Sequence, residues 1–127
     1  MPSEEHMRAA MQAYVDNYNA SDLDGLVALF DEDARVEDPV GTPPKVGHAA
    51  IRAFFAVGIK AGARLHLDGP IRAGANFAAF AFHVTLTWEG AKTRIDAIDT
   101  FEFNDSGKIA EMRAFFGAGN SSTPAGE

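Results

Sequence analysis

The chain has 127 residues, of which 46% are hydrophobic, and a formal net charge of −7. This length fits a single domain with a substantial core and is too short for two. The acidic balance argues against a nucleic-acid partner, because binding to phosphates depends on many Lys and Arg contacts. The lack of cysteine excludes disulfides, thiol catalysis and cysteine-based metal sites.

The N-terminal part of the chain predicts an amphipathic helix. Apolar residues recur at helical spacing from Met7 to Tyr18, and Tyr14 lies in the same stripe. A phenol there either packs in the core with its hydroxyl on a backbone carbonyl or directs the hydroxyl into a cavity. The acidic segment before the helix is not a signal peptide, and no apolar run approaches membrane-spanning length, so we expect a soluble cytoplasmic protein.

A short second helix is predicted next, with Ser21 as its N-cap and Asp24 three residues further on. We expect the acidic run 31–33 to leave this helix into solvent. Residues 35–39 predict a short extended piece, because Pro39 disfavours helical geometry for Asp38. Alternation places Asp38 on the same face as Val36, so it either points inward or begins the turn that follows.

A third helix is predicted over residues 49–58, after which the periodicity becomes alternating. Strands are predicted over residues 64–67, 76–88, 94–103 and 108–116, with hairpin turns at 89–90 and 104–107. Residues 1–117 then form one domain and 118–127 a flexible tail. This order predicts an α+β fold, in which three N-terminal helices pack on a curved, mainly antiparallel sheet and enclose a conical cavity.

The strand 94–103 carries one acid on an apolar face. Alternation groups Asp99 with Ile95, Ala97, Phe101 and Phe103. A carboxylate that faces a core is costly unless it pairs with a cation or takes up a proton. Asp99 is therefore a candidate hydrogen-bond donor in a dry pocket. The alternative is an Asp that leans to solvent at a bulge or meets an arginine such as Arg72 or Arg113.

Several other chemistries find no support in the sequence. The histidines at 6, 48, 66 and 83 are scattered, and we interpret all of them as structural or surface residues. There is no Gly-x-Ser-x-Gly nucleophile motif, and the glycines at 58 and 62 do not follow a strand as in a phosphate-binding loop. No nucleotide cofactor is expected.

Tyr14, Asp38 and Asp99 together make the sequence recognisable. From residue 7 to residue 117 it resembles the ketosteroid isomerases (steroid Δ5-isomerases) of the NTF2-like superfamily. The stretches that carry the resemblance are Tyr14-Val15, 21–30, 36–41, 50–55, Ile98-Asp99 and 112–117. A Glu-Asp-Pro turn alone is weak evidence, but joined to Tyr14 and Asp99 at these separations it is strong.

The resemblance implies a reaction and roles for these residues. Asp38 would be the general base that moves a proton from C4 of a 3-oxo-Δ5-steroid to C6. Tyr14 and a protonated Asp99 would donate hydrogen bonds to the 3-oxygen of the dienolate, a role carried over from this family. No metal or organic cofactor is implied, and the family suggests a homodimer formed through the outer sheet face. Five apolar residues would surround the substrate, or alternatively only fill the core: Phe54, Phe82, Val84, Phe101 and Phe116.

One departure from the family concerns the support of Tyr14. Some relatives have further tyrosines at the positions of Phe30 and Phe55, so a phenol network behind Tyr14 is not expected here. Other functions of the same fold also stay open, because a fold does not fix a reaction. They include a polyketide cyclase, a non-catalytic binder of apolar ligands and a protein-interaction module. The histidines of a dehydratase and the Asp-Arg-Asp set of an epoxide hydrolase are not apparent.

Overall fold

The N-terminal half of the chain supplies the helices. The computed structural model describes residues 1–123, and it contains α1 (Glu4–Asn19), α2 (Leu23–Val27) and α3 (His48–Lys60). The Ser3 side chain caps α1 by accepting a hydrogen bond from the backbone N–H of His6. The cap of α2 is Asp22, whose carboxylate accepts from the N–H of Gly25. The predicted cap, Ser21, precedes it in the left-handed region, with φ of 58°.

The strands form a single mixed sheet. The order β2-β1-β7-β6-β5-β3 forms its main path, while β4 pairs with β5 and β8 with β6. Only β1 and β7 are parallel among the described pairs. The predicted α+β fold, helices on a mainly antiparallel sheet, is confirmed. The strands are β1 (Phe30–Glu37), β2 (Lys45–Val46), β3 (Arg64–Leu67), β4 (Arg72–Gly74), β5 (Phe77–Trp88), β6 (Ala91–Phe103), β7 (Ile109–Phe115) and β8 (Ser121–Ser122).

Two segments differ from the sequence-based expectation. The acidic run 31–33 belongs to β1, which begins at Phe30 because that residue pairs with Ile109 of β7. Pairing with β7 occurs on both sides of the run, at Phe30 and from Arg35 onward, and the register shifts between them, so the acidic residues lie in an irregular part of the strand. In the predicted tail, Ala118–Asn120 forms a 3-10 turn, and Ser121 and Ser122 pair with β6. Residues 124–127 of that tail lie outside the described residues.

The register of β5 and β6 divides the inner sheet face into a packed half and an open half. Phe80 lies opposite Asp99, and from there the inner pairs continue through Phe82 and Ala97 to the hairpin end. On the far side of Asp99, Phe101 is fully buried in the core. On the near side, the inner residues of both strands line a cavity. Asp99 therefore lies where the core gives way to the cavity.

The opposite face of the sheet is exposed in this chain. Ile98 and Phe115 are neighbours across β6 and β7, and both are about half exposed, at 49% and 42%. The homodimer expected through this face stays a prediction. No helix within residues 1–123 is long and apolar enough to cross a membrane.

Candidate active site

A cavity of about 600 Å³ lies between the helices and the inner sheet face. This volume is within the range of ordinary small-molecule sites. Most of its wall is apolar, and the carboxyl and hydroxyl groups on it come from distant parts of the chain. Tyr14 extends from α1, Asp38 from the turn after β1, and Asp99 from β6. The structure thus brings the three predicted residues into one space.

Asp99 is buried without a partner. Its residue is 1% exposed, and neither carboxylate oxygen has a hydrogen-bond partner within residues 1–123. The two arginines considered as partners bind elsewhere: Arg72 donates to the carbonyl of Pro70, and Arg113 to the carboxylate of Glu37. Burial, and secondarily the charge of Asp38, raise the pKa of Asp99 well above its usual value. The protonated acid, which has an O–H to donate, is therefore favoured.

Tyr14 is enclosed by aromatic rings. The ring centroids of Phe30, Phe55, Phe80 and Phe101 lie 6.4, 5.9, 6.1 and 5.3 Å from its own. Its hydroxyl makes no hydrogen bond to a residue of the described chain, and two of the rings beside it belong to Phe30 and Phe55. Burial first, and then Asp99, raise the pKa of Tyr14 well above its usual value. Tyr14 therefore stays a neutral donor.

Asp38 faces the cavity from the end of β1. It is half-buried, whereas its neighbour Glu37 points the other way and binds Arg113 at 2.8 Å. The inward orientation suggested by alternation is thus the observed one. Burial raises the pKa of Asp38 to about 6, and the positive charge of Lys45 opposes this rise. At neutral pH Asp38 is mostly ionised, so the two cavity aspartates differ in protonation state.

The apolar wall contains four of the five predicted binding residues: Phe54, Phe82, Val84 and Phe116. Phe101 is the exception, and its assignment to the wall was wrong. It is 1% exposed and packs edge-on against the ring of Tyr14 with its centroid 5.3 Å away. It supports the site from behind, because its position on β6 lies on the core side of Asp99.

Several cavity residues were not anticipated. Tyr18 lies one helical turn beyond Tyr14, and Trp88, which is 59% exposed, stands at the hairpin end of the cavity. Trp88 shares its strand face with Phe82, so alternation alone indicates its direction. For Tyr18 the available indication is Gly58, a glycine inside α3, which marks a close approach of another side chain.

The histidines lie away from this cavity. His66 and His83 stack with ring centroids 4.7 Å apart, a contact that their separation in the sequence does not indicate. Register explains this, because they face each other across β3 and β5. His83 also contacts the carboxylate of Asp68 at 2.8 Å. Within residues 1–123 there is no cluster of three or more His, Cys, Asp or Glu that could hold a metal.

Relative to the wild type, the Asp99→Asn variant should gain stability as the pH rises from acidic to neutral. In the unfolded wild type, Asp99 loses its proton above about pH 4. In the folded wild type its pKa is raised, so Asp99 keeps the proton to higher pH. This contribution to stability is complete below the unfolded pKa and is lost as pH rises towards the folded pKa, by roughly 1.4 kcal/mol per pH unit. Asparagine cannot ionise, so the variant lacks this loss.

Urea unfolding between about pH 5 and pH 7 measures the effect. The difference in unfolding free energy between Asp99→Asn and wild type should grow by roughly 2–3 kcal/mol over that interval. Asp96→Asn is the matched control, since Asp96 is an exposed residue on the other face of the same strand. If the curves for Asp99→Asn and wild type ran parallel, Asp99 would not be held protonated in the folded protein.

Comparison with known proteins identifies the relationship. A family model described as a SnoaL-like domain matches residues 11–112. A steroid Delta-isomerase of Nocardioides simplex is 36% identical over 115 residues, which cover 90% of this chain and 92% of that protein. The epoxide hydrolase LasB of Streptomyces lasalocidi is 31% identical over 127 residues, 96% of this chain but only 45% of LasB.

A solved structure extends the similarity to the whole fold. It is that of SalBIII, described as an epoxide hydrolase/cyclase-like enzyme in pyran ring formation in polyether salinomycin. The two chains superpose with a TM-score of 0.91 at 29% sequence identity, over 98% of this chain and 100% of the other. The homologues are therefore enzymes of more than one reaction class. On these matches, the chain belongs to the SnoaL-like family of NTF2-like domains.

Proposed function

We propose that this protein isomerises 3-oxo-Δ5-steroids to the conjugated 3-oxo-Δ4-steroids. The observation that carries the proposal is the position of Tyr14 and Asp99, two buried residues without a hydrogen-bond partner within residues 1–123, in the same apolar cavity as Asp38. Burying such groups without hydrogen bonds is unfavourable, so a ligand oxygen that accepts from both would satisfy them. The similarity to a steroid Delta-isomerase supports the same choice.

In the first step, the Asp38 carboxylate removes a proton from C4, next to the 3-carbonyl. The electrons of the broken C–H bond form a C3–C4 double bond, and negative charge moves to the 3-oxygen. Tyr14 and the protonated Asp99 each donate a hydrogen bond to this oxygen. In the second step, Asp38 gives the proton to C6, where the electrons of the C5–C6 double bond form the new C–H bond. The electrons of the C3–C4 double bond move to C4–C5, the 3-carbonyl re-forms, and the carboxylate is regenerated.

The surroundings suit this division of labour. A general base works best when its pKa lies near the operating pH, and burial raises the pKa of Asp38 to about 6. Oxyanion donors must keep their protons, and burial raises the pKa values of Tyr14 and Asp99. The apolar wall excludes water, which strengthens hydrogen bonds to a developing charge.

An absorbance assay tests the proposal directly. Conversion of 5-androstene-3,17-dione creates a conjugated enone, which absorbs in the ultraviolet where the substrate does not. We expect the wild-type protein to accelerate this conversion strongly over buffer. Conversion no faster than buffer at saturating protein would rule out steroid isomerisation.

The rate should depend on pH through Asp38. Because the base must be ionised, kcat/KM is expected to rise with pH through a midpoint of about 6 and then reach a plateau. Lys45→Met should move this midpoint to higher pH, because the Lys45 charge lowers the pKa of Asp38. Initial rates from about pH 4.5 to pH 8 on both proteins measure the shift. A wild-type profile that is flat over this range would contradict the assignment of the base.

A second candidate is the opening of an epoxide by a hydroxyl group or water. It is favoured by the similarity to LasB and SalBIII, whose descriptions name epoxide chemistry. The same three groups would serve. Asp99, with Tyr14 beside it, gives its proton to the epoxide oxygen as the epoxide C–O bond breaks, while Asp38 takes the proton of the attacking hydroxyl as the new C–O bond forms. Incubation with a hydroxy-epoxide, followed by mass spectrometry and chromatography of the product, separates the two reactions. Steroid binding without conversion of either substrate would favour a carrier.

A further inference from the structure

Besides Tyr14, Asp38 and Asp99, the hydroxyl of Tyr18 lines the cavity. Tyr18 follows Tyr14 by four residues on α1, so the two side chains lie on one helix face with Cβ atoms about 5–6 Å apart. Its residue is 7% exposed, and its ring packs edge-on against Phe55 with centroids 6.2 Å apart. The Tyr18 hydroxyl makes no hydrogen bond to any residue in 1–123.

The opposing helix leaves room for this hydroxyl. A Cβ atom at Gly58 of α3 would overlap the hydroxyl oxygen of Tyr18. The next nearest ring atom, the carbon that bears the hydroxyl, would lie at 3.6 Å, an ordinary contact. In this arrangement the hydroxyl, and not the ring, occupies the space that a side chain at position 58 would take. Glycine is a poor helix former, so the space for the hydroxyl is obtained at the expense of the stability of α3.

The chemistry of the hydroxyl suits a neutral ligand group. Burial, and then the charge of Asp38, raise the pKa of Tyr18 to about 12, so the hydroxyl keeps its proton and can donate or accept. The wall of the cavity that it faces is mostly apolar and includes Val57, Ala63 and Leu65. The Tyr18 hydroxyl has no protein partner within residues 1–123 and lies on the cavity surface, where a ligand oxygen can reach it and supply the hydrogen bond.

We propose that Tyr18 binds a second oxygen of the substrate, distinct from the oxygen held by Tyr14 and Asp99. This inference rests on the proposed function and narrows its substrate class. The preferred substrate is a polycyclic ketone that carries a second oxygen, as a hydroxyl or carbonyl group. This oxygen lies one or two rings away from the ring that carries the reacting ketone. For a steroid, these are the B and C rings.

The test compares 5-androstene-3,17-dione with a panel of its derivatives, each with one hydroxyl on the B or C ring. The readout is the ratio of kcat/KM for each derivative to that for the parent, in wild type and in Tyr18→Phe. For at least one derivative, the ratio should fall by about tenfold in the variant, as for a lost hydrogen bond to a buried group. A purely structural role would scale all rates equally and leave the ratios unchanged, which would overturn the inference.

Calorimetric binding of the same compounds separates this inference from the proposed function. If the wild type converts no steroid, the isomerase proposal fails. The role of Tyr18 is then decided by the dissociation constant of each derivative relative to that of the parent compound, in wild type and in Tyr18→Phe. Ratios equal in both proteins, or no binding of any compound, would overturn that role.

Gly58→Ala provides the structural control. As a single substitution, it should displace the Tyr18 hydroxyl and lower the ratio of kcat/KM for that derivative to kcat/KM for the parent compound. Combined with Tyr18→Phe, it should fold with a melting temperature at least equal to that of Tyr18→Phe, because the clash is removed.

Discussion

Asp38→Asn is expected to lower kcat/KM for steroid isomerisation by about 10⁴-fold, the upper end of the range for general acid–base catalysis. The reason is that one carboxylate both removes the proton from C4 and returns it to C6. An amide can do neither. No second carboxylate can replace it, because Asp99 is the other acid on the cavity surface and burial favours its protonated form.

The comparison needs a control for the loss of charge and a control for folding. Asp96→Asn removes one negative charge from the exposed sheet face, where Asp96 pairs with Arg94, and should keep wild-type activity. Circular dichroism and calorimetric binding of a phenolic steroid, which resembles the dienolate, should show that Asp38→Asn folds and binds. A folded Asp38→Asn variant within about tenfold of wild type would show that another group is the base.

The position of Asp99 shows what a sequence pattern can establish. Alternation along β6 correctly placed its side chain on the inner face, because strand periodicity is a local property. The same pattern could not say where along that face the core ends. Phe101 and Asp99 are both inner residues, yet only Asp99 reaches the cavity. That boundary depends on which helical residues pack opposite, and it is set by the tertiary structure.

The convergence of Tyr14, Asp38 and Asp99 was expected from family resemblance and not from spacing. Nothing local in the sequence links a helix, a turn and a distant strand, since their approach depends on the sheet order. The acidic run in β1 illustrates the same limit, because the residues that flank it, Phe30 and Arg35, pair with β7 from the opposite end of the chain. By contrast, the position of Tyr18 has a local indication in the sequence. Gly58 is unfavourable inside a helix, and here it leaves space for the Tyr18 hydroxyl.

Removing either oxyanion donor should cost less than removing the base. Tyr14→Phe and Asp99→Leu keep the approximate shape of each side chain and delete its hydrogen bond to the 3-oxygen. Each is expected to lower kcat by about 10²–10³-fold, equivalent to roughly 3–4 kcal/mol of transition-state stabilisation. KM should change less, because the charge that these donors stabilise develops only in the transition state.

Two comparisons between variants make this expectation specific. Asp99→Asn should retain more activity than Asp99→Leu, because an amide N–H still donates. The double variant Tyr14→Phe/Asp99→Leu should be slower than either single variant, but by less than the product of the two losses, because both donors act on one oxygen. If both single variants stayed within about threefold of wild type, the buried donors would not form an oxyanion hole. Their unpaired burial would then have to serve ligand binding alone, which is the behaviour of a carrier.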